Sequence, residues 1–317
     1  MRYTFILLLI TQFTFAQFAP PAGQPGTTAM SKDSSAFIAW AGFCIVQRGP
    51  QDISGISGSY ANVGDSSKAI GIADNNIVSL GDGGTAICTF AQPIADAPGP
   101  DFAVFENSFS DDYLEFGFVE VSSDGINFFR FPATSNIQDT AQTGSFGLSD
   151  ASLVNNLAGK YRALYGTPFD LSELQGASGL NLQNITHVKI IDVIGDIDPT
   201  YATHDRNGKK INDPWPTAFG SCGFDLDAVG VIHNVTNAIA KNERGAVVQI
   251  FPNPVSEVVH IRSSSEIKNI QMVDVYGNEV FSGNAKTIDV SQMKAGIYFV
   301  NIKTDSGSTA QKIIVSR

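Results

Sequence analysis

Five oxygen-bearing side chains, Asp101, Glu106, Asn107, Asp225 and Asp227, are the set in this sequence best suited to hold a cation. Calcium takes about six to eight oxygens, gathered from carboxylates, amides and carbonyls. Asp225 and Asp227 are two apart in the alternating stretch Phe224-Asp225-Leu226-Asp227-Ala228-Val229-Gly230-Val231. As a strand, this segment points both carboxylates to one face. Glu106 and Asn107 close a second apolar run, Phe102-Ala103-Val104-Phe105. If the two strands are neighbours, Glu106 meets the aspartates, and a structural calcium ion is the cofactor expected. The competing reading is a charged strand edge that discourages pairing with another molecule.

A second group of residues is suited to sugars, which stack on aromatic faces and hydrogen-bond to planar polar groups. Tyr201, His204 and Trp215 fall in one stretch with Phe219. Trp215 stands between Pro214 and Pro216, so it belongs to a loop and not to a central strand. It is either a ligand contact or a plug that packs the loop down. The same stretch carries Asp205, Asn207 and Asp213 around Gly208. Lysines follow that glycine where a calcium loop would place an acid, so a turn satisfied by its own side chains is the better reading. Trp40 lies in an apolar strand and reads as core.

Catalytic signatures are thin. His187, His204, His233 and His260 occupy unrelated contexts. No Gly-x-Ser-x-Gly elbow occurs. Gly81-Asp82-Gly83-Gly84 lacks the Lys-Ser/Thr of a phosphate loop and reads as a turn. The many carboxylates leave a glycosidase pair open, though no local motif singles one out.

These residues need strands to position them. Apolar runs bounded by Gly, Asp, Asn and Ser recur at Ala36–Val46, Thr85–Phe90, Phe102–Glu106, Leu114–Ser122, Asn127–Phe131, His187–Ile194 and Phe224–Ile232. In Phe116-Gly117-Phe118-Val119-Glu120-Val121 both faces of the alternation are apolar. That predicts a central strand covered on two sides. Asp124-Gly125 supplies a hairpin turn. The Gly-, Ser- and Asn-rich stretch 141–179 reads as a long functional loop with short helical turns near Leu153 and Glu173. No segment shows helical periodicity. The fold class expected is all-β, a jelly-roll-like sandwich over 17–235 followed by a small Ig-like sandwich over 247–317, with 236–246 as linker. Three cysteines leave at least one unpaired. Cys88, inward-facing with Ala86 and Phe90, is expected to be a buried free thiol. Cys44 and Cys222 are the candidate pair.

The 317 residues carry a net charge of −11 with only 16% charged residues. Such a chain repels phosphate backbones, so nucleic acid is not an expected partner. Arg2, the apolar run Phe5–Ile10 and the small residues Thr14 and Ala16 form the pattern of a signal peptide cleaved near Ala16. The run is too short to span a bilayer, which takes about 20 residues. No second long apolar run follows, so no transmembrane segment is expected in the mature chain.

Beyond residue 247 come Phe251-Pro252-Asn253-Pro254, Asp274-Val275-Tyr276-Gly277, Gly296-Ile297-Tyr298-Phe299-Val300 and Lys312-Ile313-Ile314-Val315. In this order the phrases resemble the type A C-terminal sorting domain of the bacterial type IX secretion system. Pro252, Asn253, Pro254, Gly277, Gly296, Tyr298 and Lys312 match its pattern. The resemblance implies Sec export, passage of folded cargo through the type IX machinery, and release or attachment at the outer membrane. Upstream, Val119–Phe128 resembles the strand–turn–strand of galactose-binding-like jelly rolls, and Phe224–Val231 is similar to their final strand. Together they resemble a group of bacterial cell-surface proteins. The function expected is a glycan- or nutrient-binding surface module stabilised by calcium. A polysaccharide hydrolase or lyase, or a structural surface component, are the alternatives.

Overall fold

The computed structural model describes residues 18–55, 58–235, 248–275, 278–305 and 307–316. The expected signal peptide, the linker 236–246 and Gly277 lie outside the described residues. The chain divides into two compact units, Met1–Thr236 and Asn237–Arg317. Among the described residues the secondary structure is strands plus three short 3-10 turns, so the all-β expectation holds.

The first unit is built on two sheets. One carries Met30–Ser31, Tyr165–Phe169, Phe102–Glu106, Asp225–Val231 and Ala39–Trp40 in that order, and Val78–Ser79 also pairs with Asp225–Val231. The other runs Phe43–Gln47, Thr85–Ile94, Ile185–Asp192, Gly117–Ser122, Phe129–Arg130. Alternation explains the layering. Phe102, Val104 and Val229 of the first sheet bury against Val119, Val121 and Val188 of the second. Phe102 stacks on Phe169 at 5.4 Å between ring centroids and meets Phe131 edge-on at 5.9 Å. Each such ring removed from water contributes about 2–3 kcal/mol.

Gly117–Ser122 is buried at every residue. Its Val119 and Val121 face the inter-sheet core, while Phe116 and Phe118 enter a second cluster with Leu157, Val193 and Ile211. The two-sided apolar pattern therefore does mark a strand covered on both faces. A third cluster backs the first sheet, where Trp40 packs on Phe37 and Phe105 at 4.9 and 5.4 Å.

The stretch expected as one long loop hides a central strand. Tyr165–Phe169 pairs with both Met30–Ser31 and Phe102–Glu106. Its glycine and proline conceal it from a propensity reading. Gly166 is needed because a Cβ there would lie 2.7 Å from the Phe105 ring. The turn expected at Leu153 is a 3-10 turn, Ala151–Leu153, leading into the short strand Val154–Asn155. The turn expected at Glu173 is Leu171–Leu174, capped by Asp170. At the Asp124-Gly125 hairpin, Asp124 accepts from the backbone N–H of Ile126 and Asn127, both at 2.8 Å. These bonds hold its carboxyl below the usual carboxylate range.

The second unit has a three-stranded sheet, Val248–Phe251, Val258–Ser263, Thr287–Asp289, and a four-stranded sheet, Glu279–Gly283, Ile267–Asp274, Gly296–Thr304, Gly307–Val315. Val259, Ile270, Met272, Val300 and Ile313 fill the space between them. Two sorting-pattern residues have visible work here. The Asn253 side chain donates to the Lys312 carbonyl at 2.9 Å and accepts from the Ile314 N–H at 2.8 Å. The buried Tyr298 ring extends its hydroxyl to the Lys294 carbonyl at 2.8 Å. Pro252 and Pro254 flank the Asn253 clamp in cis peptide linkages. Gly296 opens its strand opposite Val315, and Lys312 lies opposite Phe299 with its side chain exposed.

Candidate functional site

Phe102–Glu106 and Asp225–Val231 are adjacent and antiparallel, with Leu226 opposite Glu106. This brings Glu106 and Asp225 to one end of the sheet, where they line a cavity of about 280 Å³. Asn107 and Ser108, from the turn after the first strand, line it too. So does Glu115, just ahead of the Gly117–Ser122 strand. The three acids are 1%, 6% and 6% exposed for Glu106, Glu115 and Asp225.

Their hydrogen bonding is incomplete. Glu106 Oε2 accepts from the Ser108 N–H at 2.7 Å, but Oε1 has no partner. Asp225 Oδ1 makes no hydrogen bond of ordinary geometry either, and the Ser79 hydroxyl, from the residue opposite it in the sheet, lies only near enough to lower its carboxyl. A buried carboxylate oxygen without a partner is costly. The charges also crowd one another. Burial, then Asp225, then Asp227 push the Glu106 carboxyl far above its ordinary range, against the backbone N–H groups of Ser108 and Asn107. Glu115 rises through burial and the nearby Glu106 and Asp225. Burial raises Asp225 to about 7 although Ser79 and Arg48 oppose it. Arg48 spends its own donors on the carbonyls of Val63, Ser79 and Gly64. Three acids thus converge on a cavity whose lining contains no cationic side chain.

Aromatic rings form the walls. Phe109 stacks on Tyr113 with centroids 4.6 Å apart, and Phe146 stacks on Phe219 at 6.0 Å. Phe109, Phe146 and Phe219 are 75%, 72% and 45% exposed. Clustered exposed rings at the mouth of a polar cavity mark a binding surface more often than scattered single ones.

The structure divides the five expected ligands. Glu106, Asn107 and Asp225 come together. Asp101 does not join them, because it precedes the same strand that Glu106 ends. There it accepts from the Ala97 and Leu171 N–H groups, both at 2.9 or 2.8 Å, and contacts His233 Nδ1 at 2.9 Å. It belongs instead to an acidic group with Asp96 and Asp170. Asp227 falls in a bulge between Leu226 and Ala228. Its two oxygens take the N–H groups of Asp74 and Asn75 at 3.1 and 3.2 Å, so it holds a turn in place. Glu115 escaped the sequence reading, and its signal was a lone acid inside the apolar run Leu114–Phe118.

Tyr201, His204 and Trp215 do not line this cavity. His204 is exposed and bridges Lys210. Trp215 is half-buried, and its Nε1–H donates to Asp82 Oδ2 at 3.2 Å. Phe219 of the same stretch is the aromatic that reaches the cavity. Asp205 accepts from the N–H groups of Asn207 and Lys209 at 2.8 and 2.9 Å, and Asp213 from that of Phe116 at 2.9 Å. Both are thus employed in holding loops.

Residues 249–316 match the family described as the secretion system C-terminal sorting domain. No curated protein is detectably similar to the chain. Among solved structures, PorZ, an essential surface component of the type IX secretion system of Porphyromonas gingivalis, is 15% identical with a TM-score of 0.20, over 29% of this chain and 14% of that one. A Ruminococcus gnavus beta-glucuronidase is 14% identical with a TM-score of 0.23, over 87% of this chain and 43% of that one. The BSP domain of a biofilm-associated protein is 9% identical with a TM-score of 0.18, over 90% and 52%. The chain spans about half or less of these structures, and at such TM-scores they carry no argument about it. Among the described residues no helix is long and apolar enough to cross a membrane. The chain thus carries a secretion-system C-terminal sorting domain, which supports export through the type IX system to the medium or the outer surface of the cell.

Proposed function

We propose that the first unit is a jelly-roll-like binding module that holds a calcium ion between Glu106 and Asp225 and, above it, a neutral glycan between the phenylalanine walls. One observation carries this reading. Two buried carboxylate oxygens, Glu106 Oε1 and Asp225 Oδ1, lack a hydrogen bond of ordinary geometry at a cavity whose lining has no cationic side chain. A calcium ion would satisfy both, with Asn107 and water supplying further oxygens. The cavity is close to the lower end of ligand-pocket volumes, about 300 Å³, enough for an ion and roughly one sugar ring. Exposed aromatic faces beside it suit the apolar side of such a ring.

The test is a glycan array probed with the exported protein in calcium and again in EDTA. Calcium-dependent retention of a glycan, lost in Phe219→Ala, is the expected result. Equal retention in EDTA, or none on any glycan, would refute it. A hydrolase is the second reading, because burial raises the Glu106 and Glu115 carboxyls, the direction a general acid needs. New reducing ends released from a retained polysaccharide would favour that reading.

A further inference from the structure

We propose that Cys44 and Cys88 form a cross-strand disulfide in the exported protein and that Cys222 remains a thiol. This inference rests on export alone and stands whether or not the cavity binds calcium. The strands Phe43–Gln47 and Thr85–Ile94 pair antiparallel, and their register sets Cys44 directly opposite Cys88. Both side chains point into the inter-sheet core. As thiols, their sulfurs are 3.5 Å apart. A disulfide bond is about 2.05 Å long, with Cβ atoms about 3.5–4.5 Å apart. Directly opposed residues of an antiparallel pair already hold their Cβ atoms about 4.5–5.5 Å apart. Rotation about each Cα–Cβ bond brings the sulfurs together, and a shift of about 1 Å between the two strands brings the Cβ atoms into range.

Cys222 has no such neighbour. Its Sγ lies 3.9 Å from the Pro50 carbonyl, and its backbone carbonyl accepts from Gly81. The pairing expected from sequence, Cys44 with Cys222, is therefore not the one the sheet arranges. The odd cysteine count resolves into one pair and one remainder.

Chemistry and compartment agree. Disulfides persist outside the cytosol. Because both sulfurs are buried in the folded sheet, oxidation must precede closure of the sandwich, while the exported chain is still folding. The oxidant is a thiol–disulfide oxidoreductase in its disulfide form. The thiolate of Cys44 or Cys88 attacks it and releases one oxidant thiolate. The second cysteine then attacks the mixed disulfide and releases the other. Two electrons and two protons pass from the cysteine pair to the oxidant, which leaves as a dithiol.

The experiment counts thiols in protein recovered from the exporting cell. The protein is unfolded in guanidinium with a maleimide and weighed intact, with and without prior reduction. One maleimide without reduction and three after it are expected, with a linked Cys44–Cys88 peptide in the unreduced digest. Cys222→Ser should then show none without reduction. Reduction should lower the Tm of the wild type by roughly 10 °C and leave a Cys44→Ala/Cys88→Ala variant unmoved. Three maleimides on unreduced wild-type protein, or a linked peptide containing Cys222, would overturn the proposal. The thiol count needs no variant, so it decides the matter even if the alanine pair does not fold.

Discussion

Without calcium the protein is expected to be less stable at pH 7.5 than at pH 5, because its cavity acids are easier to bury as neutral groups. Asp225 has an ordinary value of 3.8 and rises to about 7 in the folded chain. Between those values the native state keeps a proton that the unfolded state has released. Stability must then fall as pH rises through this window. About two of these units lie between pH 5 and pH 7.5, and at about 1.4 kcal/mol each they give a loss on the order of 3 kcal/mol. Glu106 and Glu115 shift in the same direction and deepen the fall. Calcium reverses it by replacing the proton. At about a hundredfold excess over its dissociation constant it adds about 2.7 kcal/mol, or roughly 5–10 °C in Tm for a unit of this size. The assay is circular dichroism melting of the exported protein at both pH values, in EDTA and in calcium. At pH 5 calcium should do little, because protons hold the site. Asp225→Asn keeps the shape and removes the charge, so it should melt higher in EDTA at pH 7.5 and respond weakly to calcium. A Tm in EDTA that is flat or rises from pH 5 to 7.5 would refute the reasoning. So would an equal calcium response in Asp225→Asn.

Three further outcomes are expected. Phe109→Ala and Phe219→Ala, at exposed rings, should change unfolding free energy by less than about 0.5 kcal/mol yet reduce glycan retention about tenfold. Phe102→Ala empties the centre of the aromatic core and should cost about 3–5 kcal/mol in a guanidinium titration. Asn253→Ala removes both bonds to the final strand and should lower the amount of protein reaching the medium or cell surface, read by fractionation and immunoblot.

Much of the architecture was legible because alternation is a local signal. Gly117–Ser122 announced its two covered faces by placing Phe118 and Val119 side by side, and both cores bear this out. Half of the candidate site was legible for the same reason. Asp225 and Glu106 end neighbouring apolar runs, and the sheet sets them together. Asp101 shows the limit of that reasoning. It lies just before the strand that Glu106 ends, so strand length keeps the two apart. Asp227 was displaced by a bulge, which no periodicity announces. The aromatic walls come from Phe109, Phe146 and Phe219, three separate segments whose meeting is a property of the tertiary fold. Cys88 was readable as inward-facing, but which strand pairs with its own is a long-range choice.

The Asn253 clamp joins positions 59 and 61 residues apart in the chain. A growing polypeptide exposes Pro-Asn-Pro long before it has made the strand that this amide grips. The clamp therefore does not exist in the linear segment; it forms only once its two halves have been synthesised and have found each other. A chain cut short before Lys312 keeps the Pro-Asn-Pro turn and loses the strand that the amide grips.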